Sequence, residues 1–373
     1  MFEDAMFKNI QKTALFLFLA AFAAFAQVSQ VRDPLPVPDI PGYHTLKCDF
    51  HMHTVFSDGT VWPTVRVEEA WREGLDAIAI ADHANYTPHK ADVTPDPSRA
   101  YAVSREAAAQ SGIILIPAFE VSAERSLHFN VLFVEDSSGM GALSPKEQLT
   151  RGHAQKGFIF WNHPGWKETP QWFPFVKELH DAKMLHGMEI VNGLNFFPEA
   201  YPWLEEKSLT PFANTDVHAL TSIQYPNRTR PVTLVFARTA DAEGIREALF
   251  ARRTAAWMGG KAWGQEAQLK GLWEGAIELE TPEIRVNRGG RIALQMHNRS
   301  AIPFQIRIAD HPAWFRPGMR EIAPEKVTPA FVTIPKDAPT GTAKVELKLA
   351  VTNLSTGPGK ELMVTLPVTV TVE

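Results

Sequence analysis

The chain has 373 residues, room for two domains on the usual scale of roughly 100 to 200 residues each. Hydrophobic side chains make up 45% and charged ones 21%, which suits a packed core and excludes a disordered chain. The net charge of −5 offers no basic excess for phosphate backbones, so nucleic acid is not expected as the main partner. The single cysteine, Cys48, excludes an intrachain disulfide framework and a cysteine-based zinc cluster; it reads as a small buried apolar residue. Eleven of the 13 histidines lie between His44 and His218.

Lys8 and Lys12 precede an apolar run, 14–26, that closes on Ala24-Phe25-Ala26, a small-x-small pattern. Residues 1–26 therefore read as a signal peptide, too short to span a bilayer comfortably. The mature chain is expected to be exported, to a bacterial periplasm, with no membrane anchor after cleavage. Residues 27–42 carry Pro34, Pro36, Pro38 and Pro41 without periodicity, an extended linker. From 43 to 262, short apolar runs alternate with amphipathic stretches. Strands are expected at 76–81, 113–117, 158–161, 188–191 and 232–236, and helices at 65–73, 99–110, 145–156 and 242–251. Such alternation argues for an α/β domain with a mainly parallel sheet, and its unit count suits a barrel. From 268 to 373 the period changes. Segments 344–349 and 364–372 alternate apolar and polar residues, 292–296, 304–308 and 331–334 add short strands, and no convincing helix is expected. This part reads as an all-β sandwich, immunoglobulin-like in size, with Trp314 and Phe315 in its core or at an interdomain contact.

The strand ends carry the chemistry. His51 and His53 are two apart on an extended segment, so both rings project from one face, and Ser57-Asp58-Gly59 follows. Later runs end in Asp82-His83, in Glu120, in Asn162-His163-Pro164-Gly165 and in Asp216-Val217-His218. Each alone reads as a cap or a loop histidine. In a parallel barrel all five ends converge on one face, and their agreement points to a metal cluster. His128 instead begins the apolar run 128–133. It reaches the same face only if its strand runs the opposite way, so Glu120 and His128 are expected to flank a hairpin-like connection.

The order H-x-H-T, S-D-G, D-H, Glu, His, N-H-P and D-x-H over 51–218 resembles the PHP (polymerase and histidinol phosphatase) family, and with the β tail most resembles its exported Sb-PDE-type phosphodiesterases. The resemblance implies a distorted (β/α)7 TIM-like barrel holding two to three divalent ions. One would take His51, His53, Glu120 and Asp216. A second would share Glu120 and add His128 and His163, and a third would take Asp58, His83 and His218. The mixed N/O donors suit Zn, Mn or Fe over an all-oxygen calcium site. A metal-activated hydroxide held beside Glu120 would attack a small-molecule phosphoester.

Asp49, Asp82 and Asn162 are candidates to orient the ligands, with strand-end capping the competing reading. Arg125, Lys167, Arg228 and Trp166 are candidate substrate contacts, and Tyr86, Phe196 and Phe197 candidate pocket walls. The leading expectation is hydrolysis of a small phosphodiester. A phosphomonoesterase with the same site is the alternative. A surface carbohydrate- or protein-binding protein with a metal-stabilised scaffold is the reading from another class.

Overall fold

The computed structural model describes residues 31–124, 127–226 and 230–373. The signal peptide expected at 1–26 lies outside the described residues, as do Arg125 and Arg228. Pro34–Glu373 forms one compact unit; of the other, Met1–Asp33, only 31–33 are described, and they carry no regular structure. No helix among the described residues is long and apolar enough to cross a membrane.

Strands β1 (His44–Met52), β2 (Ala77–Ile80) and β3 (Ile114–Ser122) run parallel. β4 (His128–Leu132) then turns back on β3, with Glu120 opposite Asn130 and Ser122 opposite His128. That is the hairpin the position of His128 called for. β5 (Phe158–Asn162) is antiparallel to β4, which restores the original direction. β6 (Gly187–Asn192) follows in parallel, with the short β7 (Asn195–Phe196) folded back on it and β8 (Thr210–Asn214) parallel on its other side. β9 (Val232–Ala237) pairs antiparallel with the free edge of β1. The sheet curls until β8 meets β9, where the Thr233 hydroxyl accepts from the Ala213 N–H (3.0 Å) and donates to the Ala213 carbonyl (2.9 Å).

Every residue of β2, β5, β6, β8 and β9 is buried. That is why these strands read as unbroken apolar runs rather than alternating ones. Helices α1 (Pro63–Arg72), α2 (Ser98–Ser111), α3 (Pro145–Ala154), α4 (Pro174–Asp181) and α7 (Ala242–Phe250) occupy connections, with the single-turn α5 (Trp203–Glu206) and α6 (Thr221–Gln224) between the last two. Three of them open with proline, whose fixed φ suits the first turn. Ser144 and Glu147 close a reciprocal capping box on α3, and Asp241 caps α7 through the Gly244 N–H.

β10 (Thr254–Met258) and β11 (Lys261–Gly264) extend the sheet beyond β9. Past them lie β12 (Ile277–Leu279), β13 (Glu283–Val286), β14 (Arg291–Asn298), β15 (Phe304–Asp310), β16 (Arg316–Gly318), β17 (Glu321–Ile322), β18 (Lys326–Thr333), β19 (Gly341–Gly357) and β20 (Lys360–Val372). β12, β14, β18 and β16 form one sheet. β13, β20, β19, β15 and β17 form a second arrangement, and β19 also pairs in parallel with β11, so hydrogen bonding runs continuously into the first sheet. Leu294 and Met296 of β14 share an apolar cluster with Val345 and Leu347 of β19 and Val364 and Leu366 of β20, the inward halves of alternating strands.

One expectation for this region is overturned. A helix, α8 (Glu266–Ala276), opens it, burying Leu269, Leu272, Trp273 and Ala276 at helical spacing. Gly271 and Gly275, poor helix formers, hid it in the sequence. They let the proline-rich lead-in cross closely: a Cβ at Gly271 would sit 2.9 Å from the Ile40 Cβ, and one at Gly275 would sit 2.9 Å from the Asp39 carbonyl oxygen. Gly271→Leu is therefore expected to cost about 1–3 kcal/mol by overpacking, read as a lower denaturation midpoint. An unchanged midpoint would show that the lead-in does not hold against α8.

Candidate metal centre

β1 delivers His51 and His53, fully buried, to the end of the curled sheet. The chain then folds back on itself. The Gly59 N–H donates to the Thr54 carbonyl (3.0 Å), and a Cβ at Gly59 would lie 2.6 Å from the backbone of His53 and Thr54. Only glycine permits that approach, and it brings Asp58 beside the His53 ring, Nδ1 to Oδ1 3.6 Å. His83 and Glu120 follow β2 and lie near the end of β3, and their backbones form a parallel bridge. His163 and Asp216 follow β5 and β8 with φ of 28° and 54°. Non-glycine residues in that left-handed region are strained, a condition that collects at functional sites.

The structure brings all nine sequence-predicted ligand candidates together. Their donor atoms fall into four overlapping groups, the atoms of each within 4.8 Å of one another: His53, Asp58, His83 and His218; His51, His53 and Glu120; His51, His163 and Asp216; His83, Glu120 and His128. His51 Nε2 lies 3.2 Å from Asp216 Oδ1 and 3.5 Å from Glu120 Oε1, and His53 Nε2 lies 3.0 Å from the same Asp216 oxygen. His128 Nδ1 is 3.1 Å from Glu120 Oε1. His163 Nε2 stands 3.8 Å from both Glu120 and Asp216, so it faces both carboxylates. His51, His53 and Glu120 are sealed, whereas Asp58, Asp216 and His218 are partly exposed and mark the open side.

Two observations fit a cation here. Glu120 Oε2 and His163 Nδ1 are buried without a hydrogen-bond partner. His83 Nδ1 comes within 2.9 Å of that Glu120 oxygen but is out of line for a hydrogen bond, and pairs instead with Ser122 Oγ at 2.9 Å. The field also favours positive charge. Burial opposes protonation of His83, yet the Glu120 and Asp58 carboxylates push it up to about 10. Burial likewise opposes charging His51 and His218, and the carboxylates facing them overcome it. Glu120 and Asp216, which burial alone would raise, are held well below the carboxylate range by the surrounding imidazoles. His53 and His163 are lowered by burial, keeping a lone pair available. Six imidazoles and three carboxylates form a mixed N/O donor set suited to a divalent transition ion.

A layer of polar groups supports the ligands. Asp82 accepts from the Thr54 N–H (2.7 Å) and the Ser57 hydroxyl (2.6 Å), which fixes the loop carrying Asp58. Asp49 accepts from Thr215 and Arg230, anchoring the backbone just before Asp216. Asn162 donates to Glu120 Oε1 at 2.7 Å and to Asn130 at 2.8 Å. The carboxylate that meets an imidazole directly is Glu189 of β6, which the sequence reading passed over. It is fully buried and accepts from His51 Nδ1 (2.9 Å), the His163 N–H (2.8 Å), Asn192 (2.9 Å) and Asn214 (3.0 Å). Its signal was a lone acid inside the apolar run 188–191.

Of the candidate substrate contacts, Trp166 is exposed, with its ring 5.1 Å from His163 and 5.4 Å from His128. Lys167 Nζ sits over the Trp166 ring at 3.9 Å. Tyr86 is exposed and meets His83 edge-on at 5.7 Å. Phe196 stacks on Trp263, and Phe197 is buried against Gly165, so both are packing residues rather than pocket walls. Cys48, Trp314 and Phe315 sit in or against the apolar core, as expected.

Among solved structures, the chain is similar to a two-domain protein from Bacteroides vulgatus containing a predicted PHP-like metal-dependent phosphoesterase. The two share 35% identity over 91% of this chain and 100% of that one, with a TM-score of 0.83. A protein from Bifidobacterium adolescentis described as a "putative metal-dependent phosphoesterase" matches at 18% identity over 55% of this chain and 96% of that one, with a TM-score of 0.39. No family model matches the chain, and no curated protein does.

Glu189→Gln is expected to lower divalent-metal affinity by about 10- to 100-fold, measured by chelator competition, with the circular-dichroism spectrum unchanged. Unaltered affinity would show that Glu189 only fills the interior of the sheet.

Proposed function

The chain belongs to the PHP-like metal-dependent phosphoesterases, and on that premise we propose that it hydrolyses a small phosphodiester at the nine-residue centre. The observation that carries this reading is the convergence of His, Asp and Glu from five strand ends and one reversed strand within coordinating reach. His51, His53, Asp58, His83, Glu120, His128, His163, Asp216 and His218 would hold two to three ions of Zn, Mn or Fe. When bound, such ions supply Lewis acidity towards phosphoryl oxygens and make water more acidic. In the finer reading of the fold, residues 43–262 are a distorted (β/α)7 barrel of PHP type, and 268–373 are an immunoglobulin-like sandwich bracing it.

The chain's own residues do the positioning. His218 Nδ1 donates to the Asp216 carbonyl at 2.8 Å, which turns Nε2 towards Asp58 at 3.3 Å. Glu189 fixes the His51 ring in the same way from the opposite side, leaving Nε2 towards Glu120 and Asp216. Asn162 holds Glu120 Oε1 and leaves Oε2 free to accept. This preorganisation lets the site meet developing charge without rearranging. The apolar rings of Tyr86 and Trp166 border the mouth against His83 on one side and His128 and His163 on the other. Phosphorus carrying two organic arms suits that border better than a monoester does. Export to a periplasm, read from residues 1–26, would place the reaction outside the cytoplasm.

With metal-loaded protein, bis-p-nitrophenyl phosphate is expected to give a kcat/KM about tenfold or more above that of p-nitrophenyl phosphate, a difference of about 1.4 kcal/mol. The reverse order would assign a phosphomonoesterase. His53→Ala and Asp216→Ala are each expected to remove bound metal and abolish turnover while the protein stays folded. Full activity in either variant would contradict the site.

A further inference from the structure

Six of the eleven exposed large apolar side chains among the described residues gather on segments that follow the sheet's parallel strands. Trp62 follows β1, Tyr86 follows β2, Trp166 follows β5, Leu194 follows β6, and Leu220 and Ile223 follow β8. The segments after β1, β2, β5 and β8 also carry His53, Asp58, His83, His163, Asp216 and His218. Exposed apolar groups scattered singly need no explanation, but several on the segments that build one polar centre do. Two belong to the centre itself. The Trp166 ring is 5.1 Å from the His163 ring and 5.4 Å from the His128 ring, and the Tyr86 ring is 5.7 Å from the His83 ring. His83 and His128 are in turn 5.3 Å apart, ring to ring, so the four rings make an unbroken chain from Tyr86 to Trp166 across the mouth. Both end rings are about half exposed, at 53% and 52%, although large aromatics normally bury their faces.

We infer that Tyr86 and Trp166 form a subsite for a planar aromatic ester group of the substrate, so that the substrate class is an aryl phosphoester. This rests on the phosphoesterase reading of the centre. Aromatic rings recognise another ring by offset or edge-to-face contact. The walls touch the candidate ligand histidines themselves, so the ring they fit is one joined to phosphorus through a single ester oxygen. A nucleobase carried beyond a ribose would lie farther out. Lys167, stacked over the outer Trp166 ring, holds a positive charge at the rim where an anionic substrate arrives.

The test uses two non-hydrolysable probes of equal phosphorus chemistry, phenylphosphonate and methylphosphonate, titrated calorimetrically into the metal-loaded full chain, with adenosine 5′-monophosphate as a third ligand. Phenylphosphonate is expected to bind about fivefold to tenfold more tightly than methylphosphonate, on the scale of one aromatic contact. Trp166→Ala and Tyr86→Ala are each expected to shrink that ratio towards one with methylphosphonate affinity held within about twofold. Trp166→Phe should restore much of the ratio. An equal affinity for both phosphonates in the unaltered chain, or a ratio untouched by either alanine variant, would overturn the subsite. So would adenosine 5′-monophosphate binding that falls with these variants while phenylphosphonate binding does not. Failure of both phosphonates to bind metal-loaded protein would instead overturn the phosphoesterase reading, and the subsite with it.

Discussion

Two carboxylates set the terms for the whole site. Glu120 is sealed from solvent and Asp216 is partly exposed, and between them they face His51, His53, His83, His128, His163 and His218. Charges placed that deep are costly unless matched, and imidazole protons or a bound cation are the matching groups available. The same pressure appears in the imidazoles, three of which are pushed towards protonation by the acids. A centre that draws positive charge so strongly in a buried setting is poor material for a passive core and good material for divalent ions.

The interior of the curled sheet is organised to hold those carboxylates still. Asn130 donates to the Phe50 carbonyl, Asn214 accepts the Phe50 N–H, and Asn162 joins Asn130 to Glu120. Glu189 ties Asn214 and Asn192 to His51 and His163. Strands far apart in sequence are thereby cross-linked around β1 by amide and carboxylate side chains. Polar groups buried in this number are tolerated because nearly all meet partners, and the strained φ of His163 and Asp216 persists because the network over-determines their positions.

Much of this was legible in the sequence because it is written at strand ends. A His, Asp or Glu directly after an apolar run has a fixed address in a parallel sheet, and the exception, His128 before its run, foretold the reversed β4. Glu189 was not legible, since a single acid within 188–191 looks like a flaw in a strand until its three-dimensional partners are known. The helix α8 was masked by glycines whose role is contact with the lead-in, which periodicity does not record. Phe196 and Phe197 follow a strand end as the ligands do, yet turn into packing against Trp263 and Gly165, because aromatic side chains there gain more from burial than from lining a mouth.

The most direct measurement is the anomalous scattering of a crystal loaded with manganese or zinc, recorded at the metal edge. The account predicts two to three peaks between the side chains of Glu120 and Asp216, each within bonding distance of the surrounding imidazoles. Peaks located elsewhere on the chain, or a centre that binds no ion at saturating metal, would contradict it.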